Sequence, residues 1–175
     1  SSSRSTAQAK TGIASLLCQI TASTGAGSVS RYFEKTGVSP GEVWSFSFQI
    51  KGLNATAQTR ISIRVEFLNN ADAVLSSSEA DGGGDVPNWT LKNRLNLTAP
   101  AGTTKWRLWC RAFADAAGQT IDAYFDEVLA ELATAVSAYF DGFYGGGFWQ
   151  GARDASISVK DPNGNAVIAG FFKAS

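Results

Sequence analysis

Apolar and polar residues alternate with a period of two along most of this chain. In the clearest run, residues 60–67, one phase is aliphatic or aromatic and the other is charged or hydroxylated. The two sets are Ile61, Ile63, Val65 and Phe67, and Arg60, Ser62, Arg64 and Glu66. This alternation is typical of a β-strand that buries one face and presents the other to solvent.

Gly, Pro, Asn and Ser separate such runs, which is the pattern of an antiparallel sandwich. The runs predict eight strands, near residues 11–21, 27–34, 43–51, 59–68, 72–78, 88–98, 104–113 and 120–131. Further inward-facing residues are predicted as Leu16, Cys18 and Ile20, then Trp44, Phe46, Phe48 and Ile50, then Trp89, Leu91, Leu95 and Leu97. Eight antiparallel strands predict an all-β jelly-roll β-sandwich.

The run 104–113 places large side chains on both faces of its strand. Trp106, Leu108 and Cys110 form the apolar phase, and the opposite phase contains Arg107, Trp109 and Arg111. We therefore expect the Trp109 ring to face solvent or a ligand.

Cys18 and Cys110 both lie in core-facing phases of their strands. Two cysteines are too few for a disulfide scaffold. Buried free thiols and a bridge across the interior are both compatible with the sequence, because bridging depends on a Cα separation of roughly 4.4–6.8 Å.

The chain is predicted to divide into a sandwich over residues 1–132 and a C-terminal segment over 133–175. Six aromatic residues lie among glycines in this segment: Tyr139, Phe140, Phe143, Tyr144, Phe148 and Trp149. We expect them to pack on the sandwich, with an aromatic sugar platform as the alternative. The runs on either side of residues 161–164 predict a β-hairpin or a strand that pairs with a neighbouring subunit, and residues 127–138 are an alternative short helix.

Composition excludes several classes of function. The 175 residues include no histidine, which rules out Ser-His-Asp and Cys-His nucleophile pairs and His-ligated metal centres. Lys and Arg total 15, as do Asp and Glu, so nothing favours nucleic-acid binding. No apolar stretch approaches the roughly 18 residues that span a bilayer, and we expect no membrane insertion.

Several segments, in order, resemble the galactose-binding-domain-like carbohydrate-binding modules, which are jelly rolls attached to glycan-degrading enzymes and found in phage tail proteins. They are GIASLLCQIT from Gly12, VSPGEVWSFSFQIKG from Val38, NWTLKNRLNLTAPAGTTKWRLWCR from Asn88 and AYFDEVLAEL from Ala123. The resemblance implies a non-catalytic protein that binds a cell-surface polysaccharide or glycan.

The segment from Ala138 is similar to one that follows such modules in minor tail proteins of actinobacterial phages. It keeps the order YFDG, then W-x-G, then S-x-S, at Tyr139 to Gly142, Trp149 to Gly151 and Ser156 to Ser158. This resemblance implies an extracellular component of a virion tail that adheres to its host and contacts other tail subunits.

The topology expected of a jelly roll suggests where a ligand would bind. The second, fourth, fifth and seventh predicted strands would share one sheet, so outward residues of the fourth and seventh would be neighbours. The candidate ligand-binding residues are Trp109, Arg60, Arg64, Glu66, Arg107 and Arg111, with Tyr32 and Asn69 at the margins. An aromatic ring can cover a pyranose while charged groups bind its hydroxyls, although arginine stems covering an exposed indole would have the same sequence pattern.

The resemblance also implies a structural Ca²⁺ near Asp126 and the loop that enters the first predicted strand. Calcium takes six to eight oxygen ligands, which residues 24–27, Asp122 or Glu34 would supplement. The alternative is a solvated carboxylate at a strand bulge.

Two other functions fit parts of the sequence. A glycosidase needs two carboxylates about 5 to 10 Å apart, and the framework offers Glu66, Asp122, Asp126 and Glu127 without a diagnostic motif. A structural tail protein that decorates or oligomerises a fibre needs no sugar site at all.

Overall fold

The computed structural model describes residues 1–11 and 14–136 together with two strands of the C-terminal part. The chain divides into a first unit, Ser1–Ser137, and a second unit, Ala138–Ser175. Each unit is described by itself.

The first unit is a β-sandwich of two antiparallel sheets. Its strands are β1 (Ser2–Ser5), β2 (Ser15–Ile20), β3 (Gly27–Thr36), β4 (Val43–Leu53), β5 (Arg60–Leu68), β6 (Val74–Gly83), β7 (Val86–Thr98), β8 (Lys105–Ala114) and β9 (Ile121–Glu131). A five-stranded sheet has the order β1-β2-β9-β4-β7, and a four-stranded sheet has the order β3-β8-β5-β6. The predicted all-β jelly roll is confirmed.

The eight predicted strands correspond to β2 through β9, and the predicted sharing of one sheet by β3, β5, β6 and β8 is also confirmed. Strand β1 is additional, and pairs with β2 from Ser2 opposite Cys18 to Ser5 opposite Ser15. The alternative helix over 127–138 is absent from its described part, because β9 continues to Glu131 and bends follow to residue 135.

The core lies between the sheets and contains the predicted inward residues of β4, β5 and β8. At one end, the Trp106 ring meets the rings of Trp44 and Phe46 edge-on, with centroid distances of 5.6 and 5.2 Å. Edge-to-face contacts of this kind add roughly 0.5–1.5 kcal/mol each to the burial of apolar area.

Strand β7 departs from its predicted phase. Leu91 and Leu95 were expected to face inward but are 54% and 41% exposed. Lys92 and Arg94 instead lie opposite the buried Phe48 and Phe46. The long aliphatic stems of such residues cover the edge of a core while their charged ends reach solvent.

A bulge explains why Leu97 nevertheless packs against the core, as predicted. Asn96 has a positive φ of 57°. The register with β4 shifts there, so that Leu97 lies opposite Trp44. An inserted residue changes the face to which the following side chains point.

Trp89, also expected to be inward, is half-buried and lies outside the core cluster.

In the second unit, β10 (Asp154–Lys160) and β11 (Ala166–Lys173) form an antiparallel pair, in agreement with the predicted hairpin. The predicted aromatic segment, residues 138–151, lies outside the described residues. No helix long and apolar enough to cross a membrane occurs in the described parts of the chain.

Cys18 and Cys110 are free thiols that meet across the sandwich interior. The Cys18 Sγ lies 3.7 Å from the carbonyl oxygen of Cys110, and both residues are fully buried. Burial raises the pKa of the Cys18 thiol to about 11, and it raises the pKa of Cys110 well above its usual value. A thiolate is the reactive form, so both residues are chemically protected in the folded state.

Glycines allow the sheets to approach where β6 leads into β7. An added Cβ on Gly84 would overlap the backbone carbonyl of Thr59, and one on Gly52 would overlap the carbonyl oxygen of Gly84. These neighbours are main-chain atoms, so an added Cβ could be accommodated only by moving the backbone.

We expect neither cysteine to react with a soluble disulfide reagent at pH 8 in the folded protein. Both should react after unfolding in denaturant without a reductant, because burial alone protects them. The measurement is thiol titration. Failure of both to react in denaturant, followed by reaction after reduction, would reveal a Cys18–Cys110 disulfide.

Replacing Gly84 by alanine should destabilise the fold by about 2 kcal/mol, since overpacking against fixed atoms forces backbone shifts. Gly25→Ala is the matched control, because an added Cβ there meets nothing within 4 Å. Urea unfolding measures both variants. Equal free energies of unfolding for the two variants would contradict the tight packing described at Gly84.

Candidate functional site

The outer face of the four-stranded sheet carries the side chains predicted to form a site. Strand β8 lies between β3 and β5, and Trp109 is directly opposite Tyr32 on one side and Arg64 on the other. Arg64 in turn lies opposite Glu79 of β6. Directly opposed residues point to the same face of an antiparallel sheet, so one row crosses all four strands at Trp109.

A shallow depression of about 170 Å³ opens beside the half-buried Trp109 ring. It is lined by Ser30, Arg64, Glu66, Trp109 and Arg111. Four of the six predicted ligand-binding residues therefore meet at one place. Ser30 was not predicted, although it belongs to the same outward phase of β3 as Tyr32.

Glu66 connects two of the side chains that line this depression, Trp109 and Arg64. Its Oε2 accepts a hydrogen bond of 2.7 Å from the Trp109 Nε1–H. Its Oε1 lies 2.9 Å from the Arg64 Nε, close enough for an ion pair but without the alignment of a hydrogen bond. Glu66 is only 8% exposed, so these two contacts replace the water that a carboxylate otherwise binds.

Tyr32 extends the aromatic surface toward the edge of the sheet. Its ring centroid lies 4.7 Å from that of Trp109 at an interplanar angle of 54°, and the residue is 48% exposed. The Arg107 guanidinium lies 5.1 Å from the Tyr32 centroid, within cation-π range. Tyr32, predicted at the margin of the site, thus lies beside Trp109 without lining the depression. Asn69 instead caps the β5–β6 turn, accepting hydrogen bonds from the N–H groups of Ala71 and Ala73.

Arg107 lies on the same face but does not line the depression. It binds Glu34 at 2.5 Å and Asp72 at 2.7 Å. The hydrogen bond to Glu34 raises the pKa of Arg107, and Asp72, which also binds Lys105, has its pKa lowered chiefly by the Lys105 hydrogen bond.

Arg60 is likewise placed outside the depression. It lies 3.5 Å from Asp81 and stacks over Phe113 with its guanidinium 4.3 Å from the ring centroid. Arg111, which does line the depression, stacks on the same ring at 4.3 Å and binds Glu79 at 3.3 Å.

The charges of this face are balanced. Its salt bridges join five basic side chains to five acidic ones: Arg60, Arg64, Lys105, Arg107 and Arg111 with Glu34, Glu66, Asp72, Glu79 and Asp81. The sequence indicated the arginines and Glu66, but not Asp72, Glu79 or Asp81 as partners, because the pairing depends on strand register. An aromatic surface beside charge-paired guanidinium groups can stack on a ring and hydrogen-bond its substituents without attracting strong net charge.

Asp126 lies on the opposite sheet and binds backbone N–H groups. Its Oδ2 accepts hydrogen bonds from Lys10 at 2.7 Å and Thr11 at 3.2 Å, and its Oδ1 accepts one from Glu127 at 2.7 Å. The segment that enters the first predicted strand does reach Asp126, as expected, but it presents donors where a Ca²⁺ ion would need acceptors.

Two of the other predicted calcium ligands, Asp122 and Glu34, are engaged elsewhere. Asp122 accepts hydrogen bonds from Gln19 and Asn54, and Glu34 binds Arg107 on the other sheet. Within the described residues, no three Asp, Glu, His or Cys side chains are grouped so as to hold a metal ion. Asp126, Asp122 and Glu34 each bind donors within the chain here, and a Ca²⁺ ion near Asp126, which would take six to eight oxygen ligands, stays a prediction.

No protein-family model and no curated protein matches the sequence. Among solved structures, the C-terminal family 22 carbohydrate-binding module of Clostridium thermocellum Xyn10B is 18% identical, with a TM-score of 0.50 over 78% of this chain and 83% of that one. A carbohydrate-binding module of the β-sandwich superfamily described as promiscuous in specificity is also 18% identical, with a TM-score of 0.51 over 74% of this chain and 52% of that one.

The enzymatically active domain of tailspike protein 4 of bacteriophage CBA120 is similar over 76% of this chain, with 12% identity and a TM-score of 0.53. The match spans only 18% of the tailspike chain. At these identities the comparisons establish the architecture. In fold, the first unit is similar to the β-sandwich carbohydrate-binding modules.

Replacing Asp126 by alanine should lower the free energy of unfolding by about 1–3 kcal/mol, because three N–H groups lose their acceptor. Amide exchange at Lys10 and Thr11 should accelerate. Asp85→Ala, at an exposed position, is the control. Thermal unfolding with CaCl₂ and with a chelator completes the test: a calcium-dependent rise in Tm that is lost in Asp126→Ala would support the calcium site instead.

Proposed function

We propose that this protein binds carbohydrate without catalysis, through the depression on the outer face of its four-stranded sheet. The Trp109 and Tyr32 rings would stack on the apolar face of a pyranose. Arg64, Arg111 and Ser30 would hydrogen-bond its hydroxyl and ring oxygens. The observation that carries the proposal is the aromatic pair, 4.7 Å apart, beside a depression lined by two guanidinium groups.

The fold supports this proposal, since similar sandwiches include modules named for carbohydrate binding. The balanced charge of the face favours a neutral glycan over a polyanion, because each arginine already has an acidic partner. Arg60 and Arg107 then serve as supports for the surface rather than as ligand contacts.

A binding role is favoured over hydrolysis by the state of the carboxylate in the depression. Among the residues that line it, Glu66 alone is acidic, and both of its oxygens are engaged. A glycosidase would place a second carboxylate about 5 to 10 Å away across the substrate.

We further propose that the ligand is a host cell-surface glycan and that the protein is an extracellular part of a phage tail. The similarity of the fold to part of a phage tailspike supports this proposal, together with the YFDG, W-x-G and S-x-S segment of the sequence.

A second candidate function is that of an assembly domain of the tail. It is favoured by Leu91 and Leu95, which are exposed on the edge strand β7.

Wild-type protein should bind at least one polymer from a panel of galactan, xylan, mannan, mixed-linkage glucan and polygalacturonate, with a neutral polymer preferred. Trp109→Ala should bind that polymer at least about fivefold more weakly, since stacking contributes about 1 kcal/mol or more. Leu91→Ala, on the other sheet, is the matched control and should bind normally. Isothermal calorimetry gives the Kd, and a reducing-end assay on the same mixtures should detect no released sugar.

Equal binding by wild type and Trp109→Ala would contradict the proposed site. No binding by the wild type to a panel extended with host cell-wall glycans would favour the assembly role. Sustained release of reducing ends would establish hydrolysis in place of simple binding.

A further inference from the structure

Glu66 is less exposed than the other acidic residues that form salt bridges on the outer face. Those other acids, Glu34, Asp72, Glu79 and Asp81, have side chains between 27% and 56% exposed, whereas the Glu66 side chain is 11% exposed. It was expected to bind ligand hydroxyls directly. The structure instead directs both of its oxygens to neighbouring side chains.

The Trp109 indole has a single polar atom, the Nε1–H, and this donor points to Glu66 Oε2 at 2.7 Å. A hydrogen bond to a charged acceptor is shorter and stronger than one between neutral groups. It restricts rotation about the Trp109 side-chain torsions, because rotating the ring would leave a poorly hydrated carboxylate without its donor.

One further contact limits the same ring, and another holds its carboxylate partner. Tyr32 packs against it with the planes inclined at 54°, so the two rings are not parallel. Arg64, directly across from Trp109 on β5, pairs with the other oxygen of the same carboxylate. Glu66 therefore connects the aromatic ring and the guanidinium group that together line the depression.

From this arrangement we propose that Glu66 is a positioning residue, which holds the Trp109 indole and the Arg64 guanidinium in the orientation that binds the ligand. This inference rests on the proposed carbohydrate-binding function and deepens it. Because the surface is ordered before the ligand arrives, binding avoids the cost of immobilising these side chains, which is about 0.5–1.5 kcal/mol for each.

The first experiment needs no ligand. In the spectrum of ¹⁵N-labelled protein, the Trp109 indole N–H signal is assigned as the one missing from Trp109→Phe. We expect this N–H to exchange slowly with solvent in the wild type and faster in Glu66→Ala. Glu79→Gln is the matched control, because Glu79 binds Ser62 and Arg111 on the same face without contacting Trp109. An unchanged exchange rate in Glu66→Ala would overturn the proposal.

The second experiment is a double-mutant cycle with the polysaccharide that binds the wild type most tightly in the panel above. Glu66→Ala should weaken binding about tenfold, and Glu66→Gln less, because its amide oxygen can still accept the indole N–H. The double variant Trp109→Ala/Glu66→Ala should retain most of the affinity of Trp109→Ala, since little remains for Glu66 to position. Fully additive losses would overturn the proposal.

The outcomes distinguish this inference from the function on which it rests. Weaker binding by Trp109→Ala together with normal binding by Glu66→Ala would reject positioning and keep the site. Normal binding by both variants would reject the site itself. Should Glu66→Ala fail to fold, Glu66→Gln carries both measurements, with faster N–H exchange than Glu79→Gln and weaker binding than the wild type as the expected result.

Discussion

The register of β8 within the four-stranded sheet determines both the core and the outer face of this protein. Strand β8 pairs with β3 and with β5 along nearly its whole length. Its alternation sends Trp106, Leu108 and Cys110 into the core, while Arg107, Trp109 and Arg111 lie on the outside. A slip of one residue would reverse every side chain, burying guanidinium groups and exposing the core. The same pairing that stabilises the sandwich therefore keeps the Trp109 ring at the surface.

The ion pairs of the outer face differ in what they contribute. Exposed pairs such as Arg60 with Asp81 typically add little stability, because water and salt screen them. Their effect is to balance charge and to hold arginine stems against aromatic rings. Glu66 is different, because it is buried beside the Trp109 ring, and an unmade hydrogen bond there would cost more than a made one gains.

The sequence predicted most of the strands because alternation is strong wherever one face is buried. It missed β1, whose residues Ser2–Ser5 have no apolar phase and which pairs only through its backbone. It misassigned Leu91 and Leu95 because their phase in β7 is set by pairing with β4 and by the bulge at Asn96. Asn is a residue type that adopts positive φ readily, but an asparagine within a strand does not by itself locate a bulge.

Trp109 could be predicted as an outward aromatic from its phase alone, and jelly-roll topology brought Arg64 and Glu66 near it. The role of Glu66 could not be predicted, because it depends on which carboxylate oxygen meets which donor. Two of the acidic partners were missed for a related reason: Glu79 and Asp81 lie in the second half of β6, beyond the predicted end of that strand at residue 78.

The two outer faces of the sandwich differ in what covers them, and this difference favours the four-stranded sheet as the ligand-binding face. On the five-stranded sheet, the N-terminal segment crosses the face and is held by Asp126, which binds Lys10 and Thr11, and by Lys51, which donates to Gln8. The Asp126 carboxylate and the Lys51 ammonium group are therefore paired within the chain. On the four-stranded sheet, the described residues leave the Tyr32 and Trp109 rings and the depression beside them accessible. A half-buried indole fixed by a buried carboxylate presents apolar surface at low entropic cost, which is the property that ligand recognition by stacking requires.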